Sequence, residues 1–123
     1  MIRLKALSIA AALAVCLSLA ACHSPYVQTD IVNHSGGTVR LVEVDYPDAS
    51  FGTQKVSDGA TYHYHFKILG PTPGPVKITF TGADNKVHTA TGPTLKPGQQ
   101  GTLTITLDGN GRVAWFPKLN PPS

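Results

Sequence analysis

The sharpest chemistry this chain offers rests on three histidines. His63 and His65 are one residue apart in "TYHYHF", and His88 stands in "KVHTA". If both segments are strands, the first two imidazoles share a face. A third from a neighbouring strand would complete a donor set suited to Zn²⁺ or Cu²⁺. The competing reading is a wet surface. Thr61 and Lys67 fall in the same phase as the two histidines, an ammonium beside a bound cation opposes it, and two histidines at i, i+2 lack a third fixed ligand. No resident cofactor is therefore expected.

Other chemistries are poorly supplied. Catalysis by an acid and a base needs two carboxylates, or a carboxylate and a histidine, converging in a cleft. The only glutamate is Glu43, and the aspartates sit mostly in turn-like sequence. There is no Gly-x-Ser-x-Gly elbow. Asp45 and Asp48 flank Tyr46-Pro47; they offer oxygens to Ca²⁺, but aspartate beside proline is foremost a turn former. Gly70-Pro71-Thr72-Pro73-Gly74 lacks the lysine and following helix of a phosphate cradle. An enzyme is not expected.

Binding is the remaining class. "DYPDASFG" gathers Tyr46 and Phe51, and Trp115 adjoins Phe116. Adjacent strand residues face opposite ways, so one ring of that pair points outward. Exposed rings at Tyr46, Phe51 or Trp115 would serve as contacts for a glycan, a peptide or an envelope protein. The alternative is that these rings close the two ends of a core, since large aromatics are mostly buried.

The elements that must position these residues show a period of two. In "ATYHYHFKI", Tyr62, Tyr64, Phe66 and Ile68 alternate with Thr61, His63, His65 and Lys67; "PVKITFT" and "GTLTITLD" repeat the pattern. Alternation of this kind, filled by β-branched and aromatic residues, marks strands with one buried face. "TVRLVEVDY" changes phase between Leu41 and Val42, which predicts a bulge. Weaker strands are "VQTDIVN", "GTQKV", "KVHTA" and "RVAWF".

Ser35-Gly36-Gly37, Asp84-Asn85 and Asp108-Gly109-Asn110-Gly111 read as three hairpin turns. The proline-rich "LGPTPGP" and "GPTLKPG" read as crossings between sheets. Seven or eight short strands without helical periodicity predict an all-β, antiparallel, immunoglobulin-like β-sandwich, with a small barrel as the competing architecture.

The amino terminus is of another kind. Arg3 and Lys5 precede an apolar run, Ala6 to Leu19, which is export-signal grammar. A spanning helix needs about 20 apolar residues, and this run is shorter and broken by Ser8 and Ser18. It predicts a signal-peptide helix over roughly residues 3–20. The run closes on Leu19-Ala20-Ala21-Cys22, which resembles the lipobox of bacterial prolipoproteins: a leucine, two small residues and a cysteine. The resemblance implies cleavage before Cys22 after its sulfur has received a diacylglyceryl group, often with N-acylation of the new amine. Palmitate-type acyl chains on Cys22 would then anchor the chain to a membrane, since two or more chains hold stably where one is marginal. In the sorting rule of two-membrane bacteria an aspartate after the cysteine favours the inner membrane. His23 stands there, which implies the outer membrane, on its periplasmic or surface side.

Removing residues 1–21 takes away Cys16, Arg3 and Lys5, leaving eight Lys and Arg against seven Asp and Glu. The net charge falls from +3 to +1. That balance gives no case for nucleic acid. With Cys16 gone and Cys22 alkylated there is neither a disulfide nor a thiolate for blue copper. The expected organisation is a cleaved signal (1–21), a lipidated cysteine with its tether (22–26), a sandwich domain (27–117) and an extended, mobile tail (118–123), either free or covering an edge strand.

Overall fold

The computed structural model describes residues 26–121; the expected signal helix and most of the tether lie outside them. Eight strands follow in order: β1 (Val27–Asn33), β2 (Val39–Tyr46), β3 (Ala49–Val56), β4 (Thr61–Phe66), β5 (Gly74–Thr81), β6 (Val87–Leu95), β7 (Gln100–Leu107) and β8 (Val113–Asn120), with a 3₁₀ turn at Gly109–Gly111. They form two four-stranded sheets, β4-β1-β7-β8 and β3-β2-β5-β6. The sheets pack face to face as the expected sandwich, not as a barrel. All pairs are antiparallel except β1 with β7, which run parallel.

The core is built by the alternation read from the sequence. Val27 and Ile31 of β1, Val76, Ile78 and Phe80 of β5, and Leu103, Ile105 and Leu107 of β7 are all buried. In β2 the phase change is resolved by a bulge between Arg40 and Glu43. Leu41 takes a positive φ of 49° and is 63% exposed, while Val39, Val42 and Val44 all face inward. A second irregularity, between Pro75 and Lys77 opposite β6, accommodates Pro93 in β6, an edge strand where a missing N–H is tolerated.

Three expectations need correction. Ser35-Gly36-Gly37 does not close a hairpin, because β1 and β2 lie in different sheets. The turn is a crossing held by Asn33, which is completely buried. Asn33 Nδ2 donates to the Gly37 and Val56 carbonyls at 2.8 and 2.9 Å, and its Oδ1 accepts from the Ser35 amide and hydroxyl at 3.0 and 2.6 Å. The other two turns do close the β5–β6 and β7–β8 hairpins. Secondly, the β6–β7 crossing is shorter than "GPTLKPG": Gly92 to Leu95 belong to β6.

Thirdly, Lys118, Leu119 and Asn120 are not a mobile tail. They complete β8 against Thr102, Gly101 and Gln100, and Leu119 packs on the core.

Among the described residues one buried side-chain polar atom lacks a partner: the Thr29 hydroxyl, facing into the core from β1. A buried orphan hydroxyl is destabilising, and a buried amide whose removal orphans carbonyls costs about 1–3 kcal/mol per lost partner. Denaturant titration is expected to show Thr29→Val more stable than wild type by about 1 kcal/mol, and Asn33→Ala less stable by about 3 kcal/mol.

Candidate functional site

The outer face of the first sheet carries aligned rows of polar side chains. Register aligns His63 with Asp30, Asp30 with Thr104, and Thr104 with Phe116; the next row is His65, Gln28, Thr102 and Lys118. The rows arise because even-numbered residues of β1 and β7 and odd-numbered residues of β4 share the face turned away from the core. His63 Nδ1 donates to Asp30 Oδ1 at 2.6 Å, which leaves Nε2 directed outward. Gln28 Nε2 donates to the same carboxylate oxygen at 3.1 Å.

At the lower end of this face lies an open groove of about 590 Å³, lined by Tyr26, Gln28, His65, Gln100, Thr102 and Asn120 around the Gly101 backbone. Its amides, hydroxyls and imidazole supply both donors and acceptors. The Tyr26 ring meets His65 edge-on at 5.1 Å and carries the Lys67 ammonium 4.8 Å above its centroid. Sequence reasoning missed this groove. The phase of Gln28 and Thr102 was legible, but their adjacency depends on the parallel β1–β7 pairing.

The three histidines are not brought together. His63 and His65 lie on β4, an edge of the first sheet, which faces β3 through the stacked rings of Tyr64 and Phe51. His88 lies on β6, the far edge of the second sheet. The candidate trio is thus separated by the order of strands, and among the described residues no three His, Cys, Asp or Glu side chains gather as metal ligands.

His88 instead belongs to a cavity of about 210 Å³ with Ser35, Phe80, Asp84, Asp108 and Asn110. Its Nε2 donates to both Asp84 oxygens, at 3.1 and 2.9 Å, and its ring lies against Phe80 at 5.4 Å. Gly111, at φ 74°, leaves room where any β-carbon would strike the His88 ring. Ser35 is no nucleophile for this pair, since its hydroxyl is 2.6 Å from Asn33 Oδ1, to which it donates.

The aromatic candidates close the core. Phe51 is buried, stacked on Tyr64 at 4.2 Å, and Tyr46 stacks on Phe66 at 3.9 Å. Burial, and secondarily the neighbouring Tyr64 hydroxyl, raises the Tyr46 phenol above its ordinary range. Trp115 packs against the core over Gly92, where an added β-carbon would lie 2.5 Å from the indole. These three are not exposed binding rings. The outward ring of the Trp-Phe pair is Phe116, 56% exposed. Asp45 and Asp48 also hold no ion-binding arrangement: Asp45 pairs across β2 with Ser50 and Lys77, and Asp48 takes a left-handed turn conformation at φ 68°.

No family model matches the chain, and no curated protein sequence matches it. Its fold is similar to the NMR structure of a protein from Eubacterium rectale, with a TM-score of 0.54 at 14% identity, covering 77% of this chain and 90% of that one. Similarity at this identity shows the sandwich architecture and nothing of the chemistry.

The Asp84 carboxyl is held below the ordinary aspartate range by the Lys86 backbone N–H, partly offset by desolvation and reinforced by His88. A carboxylate with a depressed folded value stabilises the fold above the unfolded value of about 3.9 and loses that contribution as pH falls through the folded one. Thermal melts across pH 2 to 4 are expected to fall less steeply for Asp84→Asn than for wild type, with the two variants differing most at the upper end of that window.

Proposed function

We propose that this chain is a lipid-anchored lipoprotein of the bacterial cell envelope, held at the outer membrane through Cys22, in which the sandwich serves as a non-catalytic binding or structural module. The observation that carries the reading is the relation between a linear motif and a domain boundary. Leu19-Ala20-Ala21-Cys22 ends four residues before Tyr26, and the first residue of the sheet is Val27. Cleavage before Cys22 would therefore fall ahead of every described strand and leave the described sandwich behind a short tether.

Two further features support it. Without the leader the chain has no second cysteine, so the domain must rest on its apolar core, and sixteen buried hydrophobic residues form one such cluster. The polar face of the first sheet and its groove bear amides, hydroxyls and imidazoles without a nucleophile poised beside a base, a composition suited to recognition of a peptide or glycan. Among the described residues no helix is long and apolar enough to cross a membrane; in this reading the anchor is the lipid on Cys22.

Intact mass of the exported protein tests the proposal. A mass starting at Cys22 with two or three acyl chains is expected, while Cys22→Ala should retain the leader and take up no labelled palmitate. An exported wild-type chain with its leader attached, or with an unmodified thiol, overturns it.

A further inference from the structure

Three residues separate Cys22 from Tyr26. Four extended steps of about 3.3 to 3.6 Å reach no more than about 14 Å. If the sulfur of Cys22 bears acyl chains, the end of the sandwich that contains Tyr26 cannot leave the headgroup zone, and its surface chemistry must suit that zone.

That end is well defined by the register. Val27 pairs with Phe66 and with Gly101, which sets Tyr26 level with Lys67 and Gln100. The Gly98 amide donates to the Ile68 carbonyl at 3.2 Å, which draws the β6–β7 turn, with Lys96, against the start of the β4–β5 crossing. Ile68 is buried, and its neighbour Leu69 is 84% exposed, the most exposed of the large hydrophobic side chains in the described residues. Pro71 and Pro73 follow it, both exposed. An apolar side chain held out on a short, anchored crossing has no intramolecular partner to gain, and only an apolar environment beyond the domain would take it from water.

The charges around it have one predominant sign. Lys67, Lys96 and Lys118 are exposed at this end; its acidic side chains are Asp48, whose carboxylate lies against Gly70 beside Leu69, and Asp45, which is opposite Lys77. Asp58, Asp84 and Asp108 lie in the turns of the opposite end, alongside Lys86 and Arg112. Lysine stems can lie along an apolar layer while their ammonium groups reach the phosphates, and a tyrosine at the level of Tyr26 suits the same interface.

We propose that this end of the sandwich, Tyr26, Lys67, Leu69, Lys96 and Lys118, seats on an anionic phospholipid surface, with Leu69 entering the headgroup layer and the lysines pairing with phosphates. The inference rests on the lipid-anchor reading and deepens it. It gives the domain an orientation, with the strands rising from the surface and the Asp84–His88 end directed away.

The test uses the acylated full-length protein in nanodiscs, with a fluorescent probe on Leu69→Cys or, at the opposite end, on Lys86→Cys, the other cysteine of the mature chain being blocked by lipid. In discs of phosphatidylethanolamine and phosphatidylglycerol carrying brominated chains, the probe at position 69 should be quenched at least twofold more than the probe at 86. The difference should shrink in purely zwitterionic discs and in the triple variant Lys67→Glu, Lys96→Glu, Lys118→Glu. Equal quenching at both positions in a protein whose mass includes the acyl chains overturns the orientation while leaving the anchor intact. Unequal quenching that ignores lipid charge overturns the lysine pairing. A mass without acyl chains overturns the anchor and the orientation together.

Discussion

The structure turns on a single buried amide. Asn33 ends β1 and uses both donors and both acceptor positions of its side chain inside a site closed to water. It reaches Val56 at the end of β3 and Gly37 within the crossing, while its backbone bonds the β3–β4 turn through Ala60 and Gly59. A fully satisfied polar group in a core specifies one arrangement, because every alternative strands some of its partners. Here it specifies that the chain leaves the first sheet and enters the second, where a glycine-rich turn between two alternating strands would by itself favour a hairpin.

Once that crossing is set, the sandwich has two open flanks, and each is closed by aromatic rings. On the β3–β4 flank Phe51 stacks with Tyr64 and Tyr46 with Phe66. On the β6–β8 flank Trp115 covers Gly92. The rings that looked suited to ligand contact are thus consumed in closure, which also excludes water from the inter-sheet core. What remains for interaction is the outer faces of both sheets, the second with exposed Leu41 beside an open groove of about 660 Å³ lined by Glu43, Ser50, Thr53 and Gln54, and the two ends of the sandwich. These ends differ: one gathers lysines and an exposed leucine around Tyr26, the other the Asp84–His88 pair and its small cavity.

Much of this was legible locally and little of it globally. Alternation marked β4, β5 and β7 with their inward-facing phase, the other segments read more weakly as strands, and the phase change in "VRLVEV" announced the bulge that ejects Leu41. Period-two patterning assigns a face but not a neighbour, which is why His88 was joined to His63 and His65 although β6 and β4 occupy opposite flanks. The same limit hid Asp30 as the partner of His63, and the parallel β1–β7 pair that builds the groove. "PKLNPPS" looked like a tail because three prolines dominate it; an edge strand accepts Pro117, and Leu119 supplies the burial that holds the segment down. The turn at Ser35-Gly36-Gly37 was misjudged because its decisive bonds go to Val56, 23 residues away from Asn33.

If Cys22 carries the proposed lipid, a tether this short changes what counts as an adequate contact. Covalent attachment of a surface within about 14 Å of its partner raises the effective concentration to the millimolar range or above. Under that condition a face whose affinity as a free domain is too weak to detect is occupied for much of the time. A single exposed leucine and a few lysines would then suffice at the end beside Tyr26, where a free domain would need a larger apolar patch with its attendant risk of aggregation. The same reasoning places different demands on the two ends. In the proposed arrangement the end beside Tyr26 would rely on proximity, whereas any contact made by the far end or the polar sheet face would depend on complementarity alone. That is where the built features lie, in the aligned rows of His63, Asp30 and Thr104 and in the His88 ring seated between Phe80 and Gly111.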